Sequence, residues 1–429
     1  MKKIILLGLQ TDTNLGDGLL AKCTEKLVTM LCDELEIKDA DIIPADMRGL
    51  DYRALIEKDL ADREAAAQTF KARFHSSISH SALYNFALKL TLGEKKYLAR
   101  KERKRNEKAA REAAAEKKRL AYLEKSAEEA ALRLIDKDTA AVIFVGGGLI
   151  KYGSKQDLPA LMKPYILRAD ELCVPVMFNA VGIEGFDGEN EECLMLRELM
   201  NKPCVKCITT RDDIELLRSS FILRDDIVTK KVPDPACRTA EFFPQEHKKS
   251  GVIGIGVARG GLFTDHGGKN GEKELLDIWA QIISELEKRG LKWKIFSNGI
   301  LSDLHFGEKL LEHIGRAEEK DALILPQPRK VEQFVSDVNS FDGIIACRLH
   351  ASIIAYSFKI PAVEIVWNIK QRIFGDWIGV PERFLDERTL DPALLVERLV
   401  TALDEPYPEN DMNPTDTYDM LKDFFIKTK

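Results

Sequence analysis

Residues 3–31 read KIILLGLQTDTNLGDGLLAKCTEKLVTML, and their pattern decides the fold class. Residues 3–9 are an apolar run of the kind that forms a strand buried on both faces. A polar, glycine-containing loop, TNLGDG, follows. From about Leu19 the apolar residues Leu20, Cys23, Leu27, Met30 and Leu31 recur at three- and four-residue spacing, which predicts a helix. Strand, glycine loop and helix together open a parallel sheet with crossover connections.

The format repeats along the chain. A second strand, DIIPADM, follows the first helix, and AAVIFVGGG (140–148) ends in three glycines. VPVMFNAVGI (174–183), VKCITTRD (205–212) and IVTKKVPDPA (227–236) are further apolar runs passing into loops. After Pro244 a polar link, QEHKKS, precedes a restart: SGVIGIGVARGG (250–261), an amphipathic helix closed by Gly290, then LKWKIFSN (291–298). DALILPQP (321–328), DGIIACRLHASIIAYSF (342–358) and IPAVEIVWN (360–368) each read as holding another strand. The expected class is therefore α/β, with one unit over 1–245, a second over 246–390 and a helical tail over 391–429.

One stretch departs from this pattern. From Lys95 to Arg133 the chain is mostly Ala, Lys, Arg and Glu without Gly or Pro, which predicts a long helix. Its apolar anchors are sparse, so little of it is expected in a core. Just upstream, SALYNFALKLTLG places Leu83, Phe86, Ala87 and Leu90 on one helical face. Residues 70–135 thus read as a charged helical insertion.

Composition narrows the function. The 429 residues are 45% hydrophobic and 31% charged, with a formal net charge of -6. That balance argues against nucleic acid as a partner, which would require a broadly basic surface. No apolar run approaches the roughly 18–20 residues of a membrane span. The N-terminal run is short, lacks a small-residue cleavage site and reads as a strand rather than a signal peptide, in keeping with a cytoplasmic protein. Eight cysteines are scattered, and only Cys204 and Cys207 form C-x-x-C. With no second pair and no spaced histidines, they are expected to be small apolar fillers. Asp39-Ala40-Asp41 has D-x-D spacing but precedes a strand, so a solvated turn is expected and no metal.

In open parallel sheets, ligands bind beyond the carboxyl ends of the strands. Asn14, Gly16, Asp17 and Gly18 follow the first strand, and Gly146, Gly147 and Gly148 follow a later one. Neither loop matches G-x-G-x-x-G or the phosphate-binding G-x-x-x-x-G-K-[ST], so neither signals a nucleotide. Cations stand at the same kind of position. Arg348 and His350 follow GIIAC and open a helix; Lys370 follows AVEIVWN; Arg259 follows VIGIGVA; Arg211 follows CITT. Arginine forks match carboxylate and phosphate, and a histidine there can donate a hydrogen bond or move a proton. A ligand with two anionic groups is implied. His266, in GGLFTDHGGKNG, is a second candidate histidine.

The ordered set Asn14-Leu15-Gly16-Asp17, Gly146-Gly147-Gly148, Arg211-Asp212, Asp234-Pro235-Ala236, Arg348-Leu349-His350 and Trp367-Asn368-Ile369-Lys370 resembles the polysaccharide pyruvyl transferase family. The resemblance covers about residues 1–50 and 140–380. It implies a GT-B-like fold, two Rossmann-like domains with parallel sheets facing a cleft, plus the helical insertion. It implies phosphoenolpyruvate as co-substrate, no bound cofactor, and a sugar acceptor that is often lipid-linked. Carried over, Arg348 and His350 hold the donor phosphate and serve catalysis, with Arg211, Arg259 and Lys370 as further donor contacts. The N-terminal half becomes the acceptor side, with Asn14, Asp17, Gly147 and Gly148 as contacts. Trp367 stands where the family more often has Tyr.

Two other readings share these residues. A GT-B glycosyltransferase would set the same cations against a nucleotide-sugar diphosphate. A non-catalytic membrane-surface assembly protein would be built around the charged helix. For that helix three roles compete: a solvated face laced with Glu–Lys pairs, a dimerising hairpin that makes a homo-oligomer, or docking to an anionic membrane. Basic residues outnumber acidic ones by about seven between Lys95 and Arg133.

Overall fold

The computed structural model describes residues 2–11, 13–37, 39–51, 54, 94–153, 157–405, 407–410 and 412–428. Its first sheet contains β1 (Lys2–Gly8), β2 (Ala40–Asp46), β3 (Thr139–Val145), β4 (Val176–Val181), β5 (Val205–Thr210) and β6 (Val228–Lys231). Their order is β2-β1-β3-β4-β5-β6. The second sheet holds β7 (Val252–Gly256), β8 (Lys292–Phe296), β9 (Gly343–Ala346), β10 (Ala362–Val366) and β11 (Phe384–Asp386), in the order β11-β10-β9-β7-β8. Every pairing in both sheets is parallel. Strands β4, β9 and β10 are buried along their whole length, which is why their sequences are continuous apolar runs rather than alternating ones.

Residues 321–328 depart from the expected strand. Lys320–Leu323 is a single helical turn, and the run meets the sheet only briefly, through an isolated bridge between Ile324 and Ile295 and a bond from Leu325 N to Ile295 O at 2.8 Å. Pro326 and Pro328 have no N–H to give a ladder, so the run cannot continue as a strand.

Helix α1 (Leu15–Glu34) begins four residues before the apolar periodicity suggests. Asn14 is extended, and its side chain accepts from Gly16 N, so it caps the helix at Leu15. The helix then buries two faces. Leu27, Val28 and Leu31 pack on Ile4 and Leu6 of their own sheet. Leu15, Leu19, Leu20 and Cys23 pack with Val331 and Phe334 of the second half. At about 1.5–3 kcal/mol for each fully buried leucine, this shared helix is a substantial joint between the halves.

The expected insertion is partly an element of the fold. Helix α2 (Glu94–Leu134) has 41 residues, a rod about 60 Å long. Its last turns bury Leu123, Ala127, Ala130 and Ala131 in one stripe, in the same core as Leu161 and Tyr165 of α3 (Leu158–Glu171). They form the crossover that delivers the chain to β3. Alanine brings little apolar area, so its stripe is faint in sequence, yet its small side chain allows close helix packing. From Glu102 to Ala115 every described side chain is exposed. The apolar face expected at Leu83, Phe86, Ala87 and Leu90 lies outside the described residues.

Helix α4 (Glu191–Met200) completes the first half. Around the second sheet stand α5 (Glu272–Lys288), α6 (Leu301–His313), α7 (Val331–Asn339), α8 (Leu349–Ser357), α9 (Ile369–Trp377) and α10 (Pro392–Asp404). The last helix, α11 (Asp416–Lys427), returns to the first half, where Met420, Leu421, Phe424 and Phe425 join the core of Ile4 and Leu27. The tail of 391–429 is thus divided between the two halves. Cys204 and Cys207 enter different cores of the first half, as i and i+3 positions at a strand should. Among the described residues no helix is long and apolar enough to cross a membrane.

Each sheet reverses its strand order once, between β1 and β3 and between β7 and β9. Such reversals open the crevices in which ligands sit. Here the two crevices face each other.

Candidate active site

The loops leaving the strands enclose a cleft of about 700 Å³ between the halves. Asn14, Asp17, Gly147, Gly148 and Arg211 line it from the first half, and Arg259, Arg348, His350 and Lys370 from the second. The structure therefore brings every site residue expected from sequence to one place. His266 and Trp367 form part of the wall. Asp39 and Asp41 lie at the start of β2, outside this lining.

The floor is a polar joint between the halves. Leu15 N donates to Asn298 O at 3.0 Å, and Asn298 Nδ2 donates to Asn14 Oδ1 at 2.7 Å. Asp17 leaves the capping of its helix to Asn14. Its carboxylate instead accepts from Asn14 Nδ2 (2.9 Å) and from Gly147 N (3.2 Å), tying the β1 loop to the β3 loop.

None of the four cations is free. Arg348 grips Asp303 with two bonds, Nε to Oδ2 and Nη2 to Oδ1, both 2.9 Å. Asp303 is fully buried and also accepts from Arg259 N at 2.8 Å, so one carboxylate fixes two strand ends. The Arg259 side chain pairs with Asp265 at 2.5 Å. Arg211 pairs with Asp234, and Lys370 with Glu184, which also takes Lys151 at 2.7 Å. A guanidinium withdrawn from water needs a counter-charge, and these carboxylates supply it. Burial alone would raise Glu184, but Lys370 and Lys151 hold it down to about 2. Donors remain for a ligand: Arg348 uses Nε and Nη2 on Asp303, which leaves Nη1, and Arg211 Nε is buried without a partner.

The sequence model of the polysaccharide pyruvyl transferases matches residues 14–368, from one wall of this cleft to the other. The chain belongs to the polysaccharide pyruvyl transferase family. Its reaction is phosphoenolpyruvate-dependent transfer of pyruvate onto a polysaccharide. A search of curated proteins returns no match. Among solved structures, the UDP-GlcNAc 2-epimerase of Methanocaldococcus jannaschii superposes with a TM-score of 0.52 at 11% identity, over 99% of this chain and 100% of that one. The UDP-N-acetylglucosamine 2-epimerase of Rickettsia bellii gives 0.50 at 13%, over 100% and 95%. The pyruvyl transferase thus has the GT-B-like architecture, and at such identities the likeness is one of fold alone.

In this pyruvyl transferase His350 is buried, with Nε2 3.5 Å from Arg211 Nη1 and 3.9 Å from Asp234. Burial, then Arg211 and Lys370, push its pKa well below 6.5. The imidazole is neutral at neutral pH, because its burial and the two cations beside it oppose protonation. Gly16 makes this possible: a Cβ there would lie 2.2 Å from His350 Nδ1. Beneath the second-half loops lies Glu364, fully buried and raised to about 7 by burial. It accepts from Gln371 Nε2 at 2.5 Å, and Gln371 Oε1 takes the backbone N–H of Trp367 and of Asn368.

Sequence reasoning did not assign roles to Asp303, Glu184, Asp265 or Asn298. Each lies in a loop or first helical turn after a strand, so the strand-end rule that found the cations would have found them too. Among the described residues no group of three or more His, Cys, Asp and Glu is arranged to hold a metal.

Proposed function

We propose that this pyruvyl transferase forms a cyclic ketal on a pair of sugar hydroxyls, with phosphoenolpyruvate held against the second-half wall and reached by Arg211 from the first, and the sugar on the first-half wall. One observation carries the reading: cationic strand ends from both halves converge on a single cleft at the two order reversals. Arg348, Arg211, Lys370 and His350 receive the carboxylate and phosphate, and Arg259 borders them. The anion shares these cations with their carboxylates, which keep the side chains in place while the cleft is empty. Asn14, Asp17, Gly147 and Gly148 face the acceptor.

The chemistry balances without a further reagent. The methylene carbon gains a proton, one hydroxyl adds to the adjacent carbon, and the second displaces phosphate. Two hydroxyl protons are released; one replaces the proton taken by carbon and the other leaves on hydrogen phosphate. The bound phosphate and carboxylate offset the two cations beside His350, which can then take a hydroxyl proton and pass it on. The test is incubation of the enzyme with carbon-13-labelled phosphoenolpyruvate and oligosaccharides from the producing cell's surface glycan. Mild acid hydrolysis prepares them, because it also strips acid-labile ketals. A carbon-13 ketal signal supports the proposal; free pyruvate alone, or consumption of a UDP-sugar in its place, overturns it.

The enzyme is further proposed to work in the cytoplasm at the inner membrane face, on a lipid-linked sugar, with α2 as its contact. Arg103, Arg105, Arg111, Lys117 and Lys118 are exposed on the part of α2 beyond the docked turns. Near anionic lipid each basic residue contributes up to about 1 kcal/mol. Sedimentation with anionic vesicles at low salt decides this, comparing the full chain with a variant in which those five residues are glutamine. Equal recovery in the supernatant counts against docking, and size-exclusion chromatography of the same pair then tests a dimer.

A further inference from the structure

A second cavity of about 470 Å³ adjoins the cleft, and the two share His266, Trp367 and Asn368 as a common wall. It lies beyond the ends of β10 and β11. Ile369, Arg372 and Arg388 continue its lining away from the cationic centre. Phosphoenolpyruvate does not need this space: Arg211, Arg348, His350 and Lys370 line the first cavity and suffice for its two anionic ends.

Arg388 apart, the charged groups of the second cavity are spent internally. Arg372 pairs with Asp386, whose other oxygen accepts the N–H of Arg388 (3.0 Å) and of Thr389 (3.2 Å). Glu387 accepts from Lys269 N (3.0 Å) and Asn270 N (2.8 Å), which pins the loop after His266. What faces a ligand is an aromatic surface with donors around it. The Trp367 indole N–H donates to Cys347 O at 2.6 Å, and the His266 ring meets the indole edge-on with centroids 4.5 Å apart. The indole is therefore held rigid, with the exposed Ile369 beside it. Arg388 is exposed, and its side chain has no ion pair among the described residues.

We propose that this cavity is a saccharide subsite, which holds the sugar unit next to the one that receives pyruvate. A fixed aromatic face offers the C–H side of a sugar ring area without loss of side-chain freedom. Donors around a charge-balanced floor suit hydroxyl and ring oxygens, which are neutral acceptors. The inference rests on the pyruvyl-transfer reading, because it takes the reacting sugar to lie in the first cavity.

Saturation-transfer NMR and calorimetry with the surface-glycan oligosaccharides, fractionated from one to four sugars, test it by binding. The wild type should bind the longer fractions about tenfold or more tighter than the single sugar. Trp367→Ala and Arg388→Glu should each remove most of that gain, and Trp367→Phe should keep it. Arg388 is exposed, so its variant separates loss of a contact from loss of folding. A gain that survives in both variants, or no gain in the wild type, overturns the subsite. Carbon-13-labelled phosphoenolpyruvate in the same tubes separates the two readings: ketal formation without a length effect removes the subsite alone, and a length effect without ketal removes only the reaction.

Discussion

The cleft and the outer part of helix α2 both gather basic side chains, under opposite conditions. In the cleft, Arg348, Arg211 and Lys370 are largely withdrawn from water and each has a carboxylate partner. On the arm, Arg103 lies 3.3 Å from Glu107 with both side chains more than half exposed, and the surplus of positive charge is left to solvent. A buried pair is rigid and sensitive to the loss of either member. An exposed charge adds little to stability, is screened by salt and acts together with its neighbours. The cleft is thus suited to holding a small dianion in one geometry, and the arm to meeting an extended anionic surface. The two regions should fail differently when mutated.

The largest effect is expected from breaking the Arg348–Asp303 pair. Arg348→Ala strands a fully buried carboxylate and should cost about 3–5 kcal/mol in urea unfolding, along with activity. A loss below about 1 kcal/mol would show that the pair is not the desolvated anchor described here. Lys370→Met should be gentler on the fold, because Glu184 keeps Lys151. Its loss should appear in turnover, by roughly ten- to a hundredfold, as one charge-assisted bond to the donor disappears. Near-normal turnover would remove Lys370 from the donor site.

Glu364 gives a pH-dependent contrast beneath the cleft. Its folded pKa is raised to about 7, so the stability it contributes is full below about 4.5 and is lost as pH rises through 7. Glu364→Gln should flatten that loss: its melting temperature should gain on the wild type between pH 5 and pH 8.5. Parallel curves would mean that the carboxyl titrates normally. The smallest effect belongs to the arm. Changing Arg103, Arg105, Arg111, Lys117 and Lys118 together to glutamine should alter unfolding free energy by no more than about 0.5 kcal/mol per site. It should nevertheless abolish low-salt vesicle binding if the arm is the membrane contact.

Much of this architecture was legible in sequence, and the exceptions have physical causes. Strands buried on both faces are continuous apolar runs, and the strand-end rule selected Arg211, Arg259, Arg348, His350 and Lys370 before any geometry was known. The strand-end rule also reaches Asp303 and Glu184, but which cation each one meets is not legible, because Asp303 lies 45 residues from Arg348 and Glu184 lies 186 from Lys370. Pairing at such separations is a property of the fold. The neutral state of His350 likewise comes from burial and two neighbouring cations, which no local motif encodes. The docked turns of α2 were missed because their stripe is alanine. The run 321–328 has the apolar content of a strand, but Pro326 and Pro328 end it after one bridge.

On the proposal above, the cleft binds phosphoenolpyruvate and passes its pyruvate to a sugar. Phosphorus NMR tests it most directly, following phosphoenolpyruvate with wild-type enzyme and with Lys370→Met, with and without the surface-glycan oligosaccharides. Phosphate release should require the oligosaccharide and fall at least tenfold in the variant. Release without acceptor, equal rates in both proteins, or unchanged phosphoenolpyruvate while a UDP-sugar is consumed would contradict it.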